Sequence, residues 1–208
     1  MSSILGFAVA SAATALIFVN AMASDTSQLG DIRYSGPGCP PGSASAALYR
    51  LNDDAPPSEF AIYFSKFFAA QGAGISAGER SKKCKVTLHF DLPKSRQFAV
   101  SGVQFNGYAD IAAGASASQV ATYWFPSVSD TKRFSTQLDG PFANNYSRLD
   151  NLGGNGLLWS RCGTGIPFFI QLSVDVIGNR GVSAIVTADQ ATGQLTQRFK
   201  LLWKDCAF

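Results

Sequence analysis

Strict alternation of apolar and polar residues is the feature that most constrains the fold of this chain. Over residues 84–92, Val86, Leu88 and Phe90 share one face and polar residues occupy the other. Successive side chains of a β-strand point to opposite faces of its sheet, so this pattern predicts a strand with one buried side. The same period of two returns over residues 60–64, 168–176, 182–188 and 195–203. We therefore expect most of the chain to form strands.

Turn residues separate these segments, and no long amphipathic helical pattern is present. Short strands at regular spacing predict an all-β fold, an antiparallel β-sandwich or jelly roll. Residues 178–181 are predicted to form a hairpin turn between two strands. A β-bulge is predicted near Ser101 and Gly102, where the apolar positions change face. Residues 65–71 are the one segment predicted as a short helix or turn.

An uncharged apolar leader precedes the alternating segments. Residues 1–23 contain no Lys, Arg, Asp or Glu and end with small residues at Ala21 and Ala23, which is typical of a cleaved secretory signal peptide. An uncleaved anchor is the alternative, because the apolar stretch approaches the length that spans a bilayer. We predict a signal peptide over residues 1–23, a flexible segment over 24–38 and one β-sandwich domain over 39–208. The mature chain is expected to have no membrane association.

Four cysteines lie after the leader, at Cys39, Cys84, Cys162 and Cys206. In an oxidising compartment such cysteines form structural crosslinks, so two disulfides are expected. Four cysteines allow three pairings, and the sequence does not decide among them. Their similar spacing favours Cys39 with Cys84 and Cys162 with Cys206. The sequence contains no C-x-x-C pair and only one histidine, so no metal or cofactor is predicted.

Charge and residue types give little support to catalysis. The net charge is +3 with scattered basic residues, which does not resemble a nucleic-acid-binding surface. His89, the one histidine, lies on the polar face of a predicted strand and is interpreted as solvent-facing. Glu59 and Glu79 are the only glutamates, and many aspartates lie in turn-like segments. No catalytic residue is predicted, and an acidic pair of the glycosidase type stays open.

Aromatic residues are the more promising groups for binding. Most are expected in the core, because large aromatic side chains dominate the buried surface of sandwiches. Tyr108, Tyr146 and Trp159 are predicted as ligand-binding residues, with the segment 144–155 as an exposed loop. Asn145 begins the one N-x-Ser/Thr glycosylation acceptor of the chain.

Short motifs occur in a fixed order along the chain. Among them are Gly-Cys-Pro-Pro-Gly-Ser at 38–43, Tyr-Trp-Phe at 123–125, Trp-Ser-Arg-Cys-Gly at 159–163 and Trp-Lys-Asp-Cys at 203–206; the others lie at 80–84, 105–109 and 140–141. With the four cysteines, this order resembles the small secreted proteins, many of them fungal, known as domain of unknown function family 4360. The resemblance covers about residues 38–206. It implies secretion, a β-rich fold and paired cysteines, and it implies no catalytic residue.

The sequence thus favours a secreted, non-enzymatic β-sandwich protein that acts outside the cell by binding. Cell-wall glycan or a host surface protein is the expected partner, and an effector-like role would follow for a host-associated fungus. Two alternatives stay open. One is a carbohydrate-active hydrolase or lyase on a jelly-roll fold, and the other is a structural component of the cell wall.

Overall fold

The computed structural model describes residues 25–153, 156–163, 165–179, 181–187 and 195–207. The predicted signal peptide lies outside these residues. Within them the chain forms one short 3-10 helix, Ala77–Glu79, and β-strands β1 (Gln28–Ser35), β2 (Ala44–Tyr49), β3 (Glu59–Phe64), β4 (Ala69–Gln71), β5 (Ser81–Asp91), β6 (Arg96–Ile111), β7 (Ala115–Trp124), β8 (Lys132–Asp139), β9 (Phe142–Asn151), β10 (Leu158–Trp159), β11 (Ile166–Gly178), β12 (Ala184–Thr187) and β13 (Leu195–Asp205).

The strands form two antiparallel sheets. The five-stranded sheet has the order β1-β5-β11-β7-β8, and the eight-stranded sheet has the order β2-β3-β13-β6-β12-β4, with β9 and β10 also paired to β6. The two sheets pack face to face around one hydrophobic core. The prediction of an antiparallel all-β sandwich is therefore confirmed.

Aromatic rings from both sheets fill the core. Phe60 of β3 and Phe199 of β13 stack with centroids 4.2 Å apart, and Phe168 of the five-stranded sheet meets both rings edge-on at about 6 Å. Every second residue of β5 and β11 is buried, as their alternating sequences predict. The largest fully buried aromatic side chains are Tyr123, Phe60, Phe64, Phe67, Phe90, Phe98, Phe125, Phe168 and Phe199. Phe105 and Tyr146 are also buried, and Tyr34, Phe134, Phe142 and Trp203 pack against the core, so most of the described aromatic residues belong to it, as predicted.

The predicted bulge is present in β6. Gly102 lies opposite Lys200 of β13, whereas Val100 lies opposite the next residue, Leu201, so that Ser101 is the extra residue. The added residue changes the phase of the alternation, and for this reason Val100 and Val103 are both buried although three positions separate them.

The segment 24–38 was predicted to be flexible, and the structure corrects this prediction. Strand β1 pairs with β5 along the edge of the five-stranded sheet, with Ile32 opposite Leu88. Just before β1, the Asp25 carboxylate forms ion pairs with Arg50 at 3.5 Å and Arg96 at 3.4 Å. Polar residues and glycine obscure the alternation of β1 in the sequence, although Leu29, Ile32 and Tyr34 pack against the core.

Two further local predictions were wrong. Strand β12 belongs to the eight-stranded sheet, where it lies between β4 and β6, so it does not form the predicted hairpin with β11 of the other sheet. Arg180, within the predicted turn, lies outside the described residues. Of the short helix or turn predicted over residues 65–71, the structure shows a bend at residues 65–66 and no helix, and the segment ends in strand β4, whose residues Ala69 and Ala70 are buried opposite Val186 and Ile185. In both cases the strand partner, which the local pattern does not show, decides the structure.

Both disulfides join the favoured pairs. Cys39 is bonded to Cys84 with a Cα–Cα distance of 5.5 Å, and Cys162 is bonded to Cys206 with a distance of 6.1 Å. The first bond fastens the loop after β1 to the middle of β5. The second fastens the segment after β10 to the end of β13. The first disulfide therefore fastens a loop to the five-stranded sheet, and the second fastens a loop to the eight-stranded sheet.

Candidate functional site

The structure does not bring the three predicted binding aromatics together. Tyr108 is half-buried on β6, on the side of the eight-stranded sheet that faces away from the core, opposite Asn145 of β9. Trp159 is half-buried on β10, and the Lys204 ammonium lies 4.1 Å from its ring centroid. These positions do not form one surface patch with Tyr146.

Tyr146 is buried, so the prediction that it is exposed was wrong. Its side chain is only 6% exposed, and its hydroxyl donates a hydrogen bond to Gln119 Oε1 at 3.2 Å. Burial raises the pKa of Tyr146 well above its ordinary value. Residues 144–151 belong to strand β9 rather than to a loop, and Tyr146 and Asp150 are the buried residues of this strand.

Asn145, the predicted glycosylation acceptor, is exposed on β9. Ser147, the hydroxyl residue of the acceptor sequence, is also exposed, and its Oγ accepts a hydrogen bond from Gln104 Nε2 at 3.0 Å. Strand β9 pairs with β6 at the border of the eight-stranded sheet. The predicted acceptor sequence therefore lies on the surface of the sandwich.

A pair of stacked aromatic rings on the surface was not predicted from the sequence. Trp124 of β7 and Phe169 of β11 lie directly opposite each other in the register of the five-stranded sheet. Their rings are stacked, with centroids 5.3 Å apart and an interplanar angle of 14°. Both side chains point away from the core and are half-buried, while their neighbours Tyr123 and Phe168 are fully buried.

These two rings belong to an open polar surface, which we call the outer face. It consists of the side chains of the five-stranded sheet that point away from the eight-stranded sheet, at its centre Arg33, Lys83, Lys85, Thr87, Val120, Thr122, Trp124, Arg133, Ser135, Phe169, Gln171 and Ser173. A shallow groove of about 360 Å³ passes between the stacked rings and Arg33, Lys85 and Thr87. A second groove of about 310 Å³ is lined by Lys83, Thr122, Arg133, Gln171, Ser173 and, at its end, the carboxylate of Asp175.

The sequence contains a weak signal for this ring pair. Residues 120–125 are apolar on both faces, a pattern typical of a central strand buried between two layers. The structure instead places Val120 and Trp124 on the outer face, where they are half-buried. An aromatic ring on the otherwise polar face of β11, at Phe169, is the matching signal, but only the register shows that the two rings meet.

One buried ionisable pair links the sheets. The Tyr123 hydroxyl donates a hydrogen bond to Asp150 Oδ2 at 3.3 Å, and the two residues are 0% and 7% exposed. Burial raises the pKa of Asp150 to about 6, although the hydrogen bond from Tyr123 acts in the opposite direction. A carboxyl with a raised pKa is suited to proton transfer, but this one points into the core and away from the outer face.

His89 lies on the predicted face of β5, half-buried and opposite Pro167 of β11. No group of three or more His, Cys, Asp or Glu side chains among the described residues is arranged to hold a metal ion. In the same part of the chain, no helix combines the length and the apolar character needed to cross a membrane.

Solved structures with some likeness to this chain include sugar-binding proteins. TmCBM61 in complex with β-1,4-galactotriose matches with a TM-score of 0.32 and 10% identity, over 83% of this chain and 88% of that chain. The family 11 carbohydrate-binding module from Clostridium thermocellum, in complex with a β-1,3-1,4-mixed-linked tetrasaccharide, matches with a TM-score of 0.24 and 8% identity, over 86% and 96% of the two chains. Both TM-scores are too low to carry an assignment.

Similarity in sequence is more informative. A protein of Arthroderma benhamiae named "Uncharacterized secreted protein" is 27% identical over 188 residues, which cover 90% of this chain and 75% of that protein. A family model described as "Domain of unknown function (DUF4360)" matches residues 25–206 and therefore nearly all of the described chain. The match includes both disulfides and both sheets. This chain accordingly belongs to the DUF4360 family.

Proposed function

We propose that this protein is secreted and binds an extracellular glycan on the outer face of its five-stranded sheet. The stacked pair Trp124 and Phe169 is the observation that carries this proposal. Secretion is supported by the leader at residues 1–23, by the two disulfides, and by the secreted relative.

The chemistry of the outer face suits a sugar chain. A sugar ring has apolar C–H faces and a rim of hydroxyl groups, so it needs an aromatic surface beside hydrogen-bonding side chains. Trp124 and Phe169 provide the aromatic surface. Thr87, Thr122 and Gln171, which lie beside these rings in the register, provide donors and acceptors. The shallow grooves are open along the sheet, which suits a polymer better than a small enclosed ligand.

Binding without catalysis is the function that the geometry favours. Asp150, the carboxyl whose pKa is raised among the described residues, is buried between the sheets and does not line either groove of the outer face. Cleavage of a glycosidic bond normally uses two carboxyls that flank the bond. Among the described residues, Asp175 is the single carboxyl that lines either groove of the outer face.

The test compares the outer face with the opposite sheet. The oxidised mature protein is incubated with a panel of insoluble wall polysaccharides, and bound and free protein are measured together with released reducing ends. The double variant Trp124→Ala/Phe169→Ala is expected to lose about tenfold or more in affinity, because both stacking rings are removed. The matched control is Tyr49→Ala/Leu149→Ala, which removes one exposed aromatic and one exposed aliphatic side chain from the eight-stranded sheet.

Circular dichroism of both double variants verifies that the fold is retained. Equal affinity of the ring variant and the wild type for every bound polysaccharide would contradict the proposed site. Release of reducing ends by the wild type would contradict the non-enzymatic function.

Asn145 is proposed as the acceptor of an N-linked glycan when the chain passes through a eukaryotic secretory pathway. Its exposure on β9 and the exposed Ser147 support this proposal. A mass loss on treatment with peptide-N-glycosidase that is absent from Asn145→Gln is the expected result. An unmodified Asn145 peptide from fungal culture medium would contradict it.

A further inference from the structure

The register of the five-stranded sheet aligns the centre of the outer face in three rows across the strands. The first row contains Arg33, Thr87, Phe169 and Trp124; the second contains Lys85, Gln171, Thr122 and Arg133; the third contains Lys83, Ser173, Val120 and Ser135. A chain laid across the strands would meet the ring pair in one row and polar side chains in the next.

Four cations and no carboxylate occupy these three rows, which consist entirely of described residues. The next residue along β11 on this face, Asp175, accepts a hydrogen bond from Ser81 Oγ at 2.5 Å. No ion pair joins Lys83, Lys85 or Arg133 to a carboxylate in the part of the chain that the structure describes. These three cations therefore form no ion pair within the described chain, and Asp175, beyond the third row, is the one carboxylate that lines a groove with them.

Arg33 is only weakly neutralised. It lies 3.8 Å from Asp31, and the two side chains are 74% and 79% exposed. An exposed pair at this distance contributes little, because water screens it and both side chains stay mobile. Arg33 is thus available to a ligand in the groove that it lines beside Trp124 and Phe169.

The spacing of the charges suits an extended anionic ligand. Lys85 and Arg133 lie on strands that are three strand spacings apart, which is about 14 Å, and Lys83 and Lys85 are two residues apart on one strand, which is about 7 Å. Charges that are distributed in this way favour a polymer with repeated negative groups over a single small anion.

We propose that the glycan bound by the outer face is an acidic polysaccharide, whose sugar carboxylates are recognised by Lys83, Lys85, Arg133 and Arg33 beside the ring pair. This inference rests on the proposed function and names its ligand class. Trp124 and Phe169 are the only aromatic side chains in the three rows, whereas single-stranded nucleic acids bind by stacking successive bases on several aromatic side chains, so the arrangement favours a sugar polymer.

The experiment uses two forms of one polymer. Affinity electrophoresis or calorimetry compares the disulfide-bonded mature protein on polygalacturonate and on the fully methyl-esterified polymer, which has the same chain without the negative charges. We expect about tenfold or tighter binding to polygalacturonate at 50 mM salt, and a smaller difference at about 500 mM salt, because screening shortens the reach of exposed charges.

Charge variants test which residues cause the preference for the charged polymer. Lys83→Gln/Lys85→Gln/Arg133→Gln is expected to bind polygalacturonate about tenfold more weakly and the methyl ester about as well as the wild type does. The control Lys66→Gln/Lys94→Gln/Arg148→Gln removes the same number of positive charges from exposed positions outside the three rows. It is expected to change either affinity by less than about twofold.

Each other outcome overturns a defined part of the proposal. Equal affinity for the charged polymer and its ester overturns the acidic selectivity and leaves glycan binding standing. An equal loss in the two triple variants assigns the effect to net charge and overturns the role of the three rows. Failure to bind any polysaccharide, acidic or neutral, overturns the proposed function, and tighter binding to a single-stranded oligonucleotide than to polygalacturonate overturns the glycan as ligand.

Discussion

At the scale of single residues, the protonation state of the Asp150 carboxyl affects the stability of the folded protein. The carboxyl has an ordinary pKa of 3.8, and burial raises it to about 6 in the folded protein. The folded state therefore binds this proton more tightly than the unfolded state does. Asp150 contributes stability that is fully present below about pH 4 and is lost as the pH rises through about 6.

The variant Asp150→Asn tests this link. Asparagine keeps an acceptor for the Tyr123 hydroxyl and removes the buried charge. We expect the free energy of unfolding at pH 8 to increase by about 1–2 kcal/mol relative to the wild type, and the difference to disappear near pH 4. Urea unfolding at a series of pH values measures it. The exposed Asp110→Asn is the control, and identical pH profiles of wild type and Asp150→Asn would contradict the assignment.

At the scale of strands, the sequence predicted those elements whose buried positions alternate without interruption. β5 and β11 are examples, because every second residue is buried from Cys84 to Phe90 and from Ile166 to Val176. β1 was not predicted as a strand. It lies at a sheet edge, where polar residues and glycine are tolerated, and these residues interrupt the alternating pattern. The ring pair of the outer face escaped for a different reason: Trp124 and Phe169 meet through register, and register depends on pairing between distant segments.

The anchoring of β1 gives the prediction at this scale. Burial alone would raise the pKa of Asp25, but hydrogen bonds from Ser27 and the charges of Arg96 and Arg50 lower it overall. Asp25→Ala is therefore expected to reduce the free energy of unfolding by about 1–3 kcal/mol at pH 7. The loss should shrink as the pH falls below about 4, because the wild-type carboxyl then becomes protonated.

Chemical denaturation at pH 7 and at about pH 3 measures this loss. The exposed Asp31→Ala, six residues further along the chain, is the control. Hydrogen exchange then shows whether the amides of β1 lose protection before those of β5. Unchanged stability of Asp25→Ala at pH 7 would show that β1 is held by strand pairing alone.

At the scale of the whole molecule, the disulfides connect segments that are distant in sequence. The Cys162–Cys206 bond spans 44 residues and holds the end of β13, the strand that lies between β3 and β6. Closing a loop of this length in the unfolded chain stabilises the folded state by about 4 kcal/mol. Cysteine spacing favoured the correct pairing, whereas the sheet to which each strand belongs followed only from the structure.

The double variant Cys162→Ser/Cys206→Ser is expected to lose about 4 kcal/mol of unfolding free energy relative to the oxidised wild type. Since the Cys39–Cys84 bond spans 45 residues, the variant Cys39→Ser/Cys84→Ser should lose a similar amount. Equilibrium unfolding without reductant measures both. A loss below about 1 kcal/mol in either variant would show that the bond adds little to the packing of the sheets.

The positions of Asn145 and the stacked rings have a consequence for how the molecule would sit on a surface. The asparagine belongs to the eight-stranded sheet, and the rings lie on the far side of the five-stranded one. In a molecule bound to a wall polymer through these rings, the eight-stranded sheet would face the solvent. A glycan attached at Asn145 would then lie on the surface that faces the solvent. It would not obstruct binding through the rings.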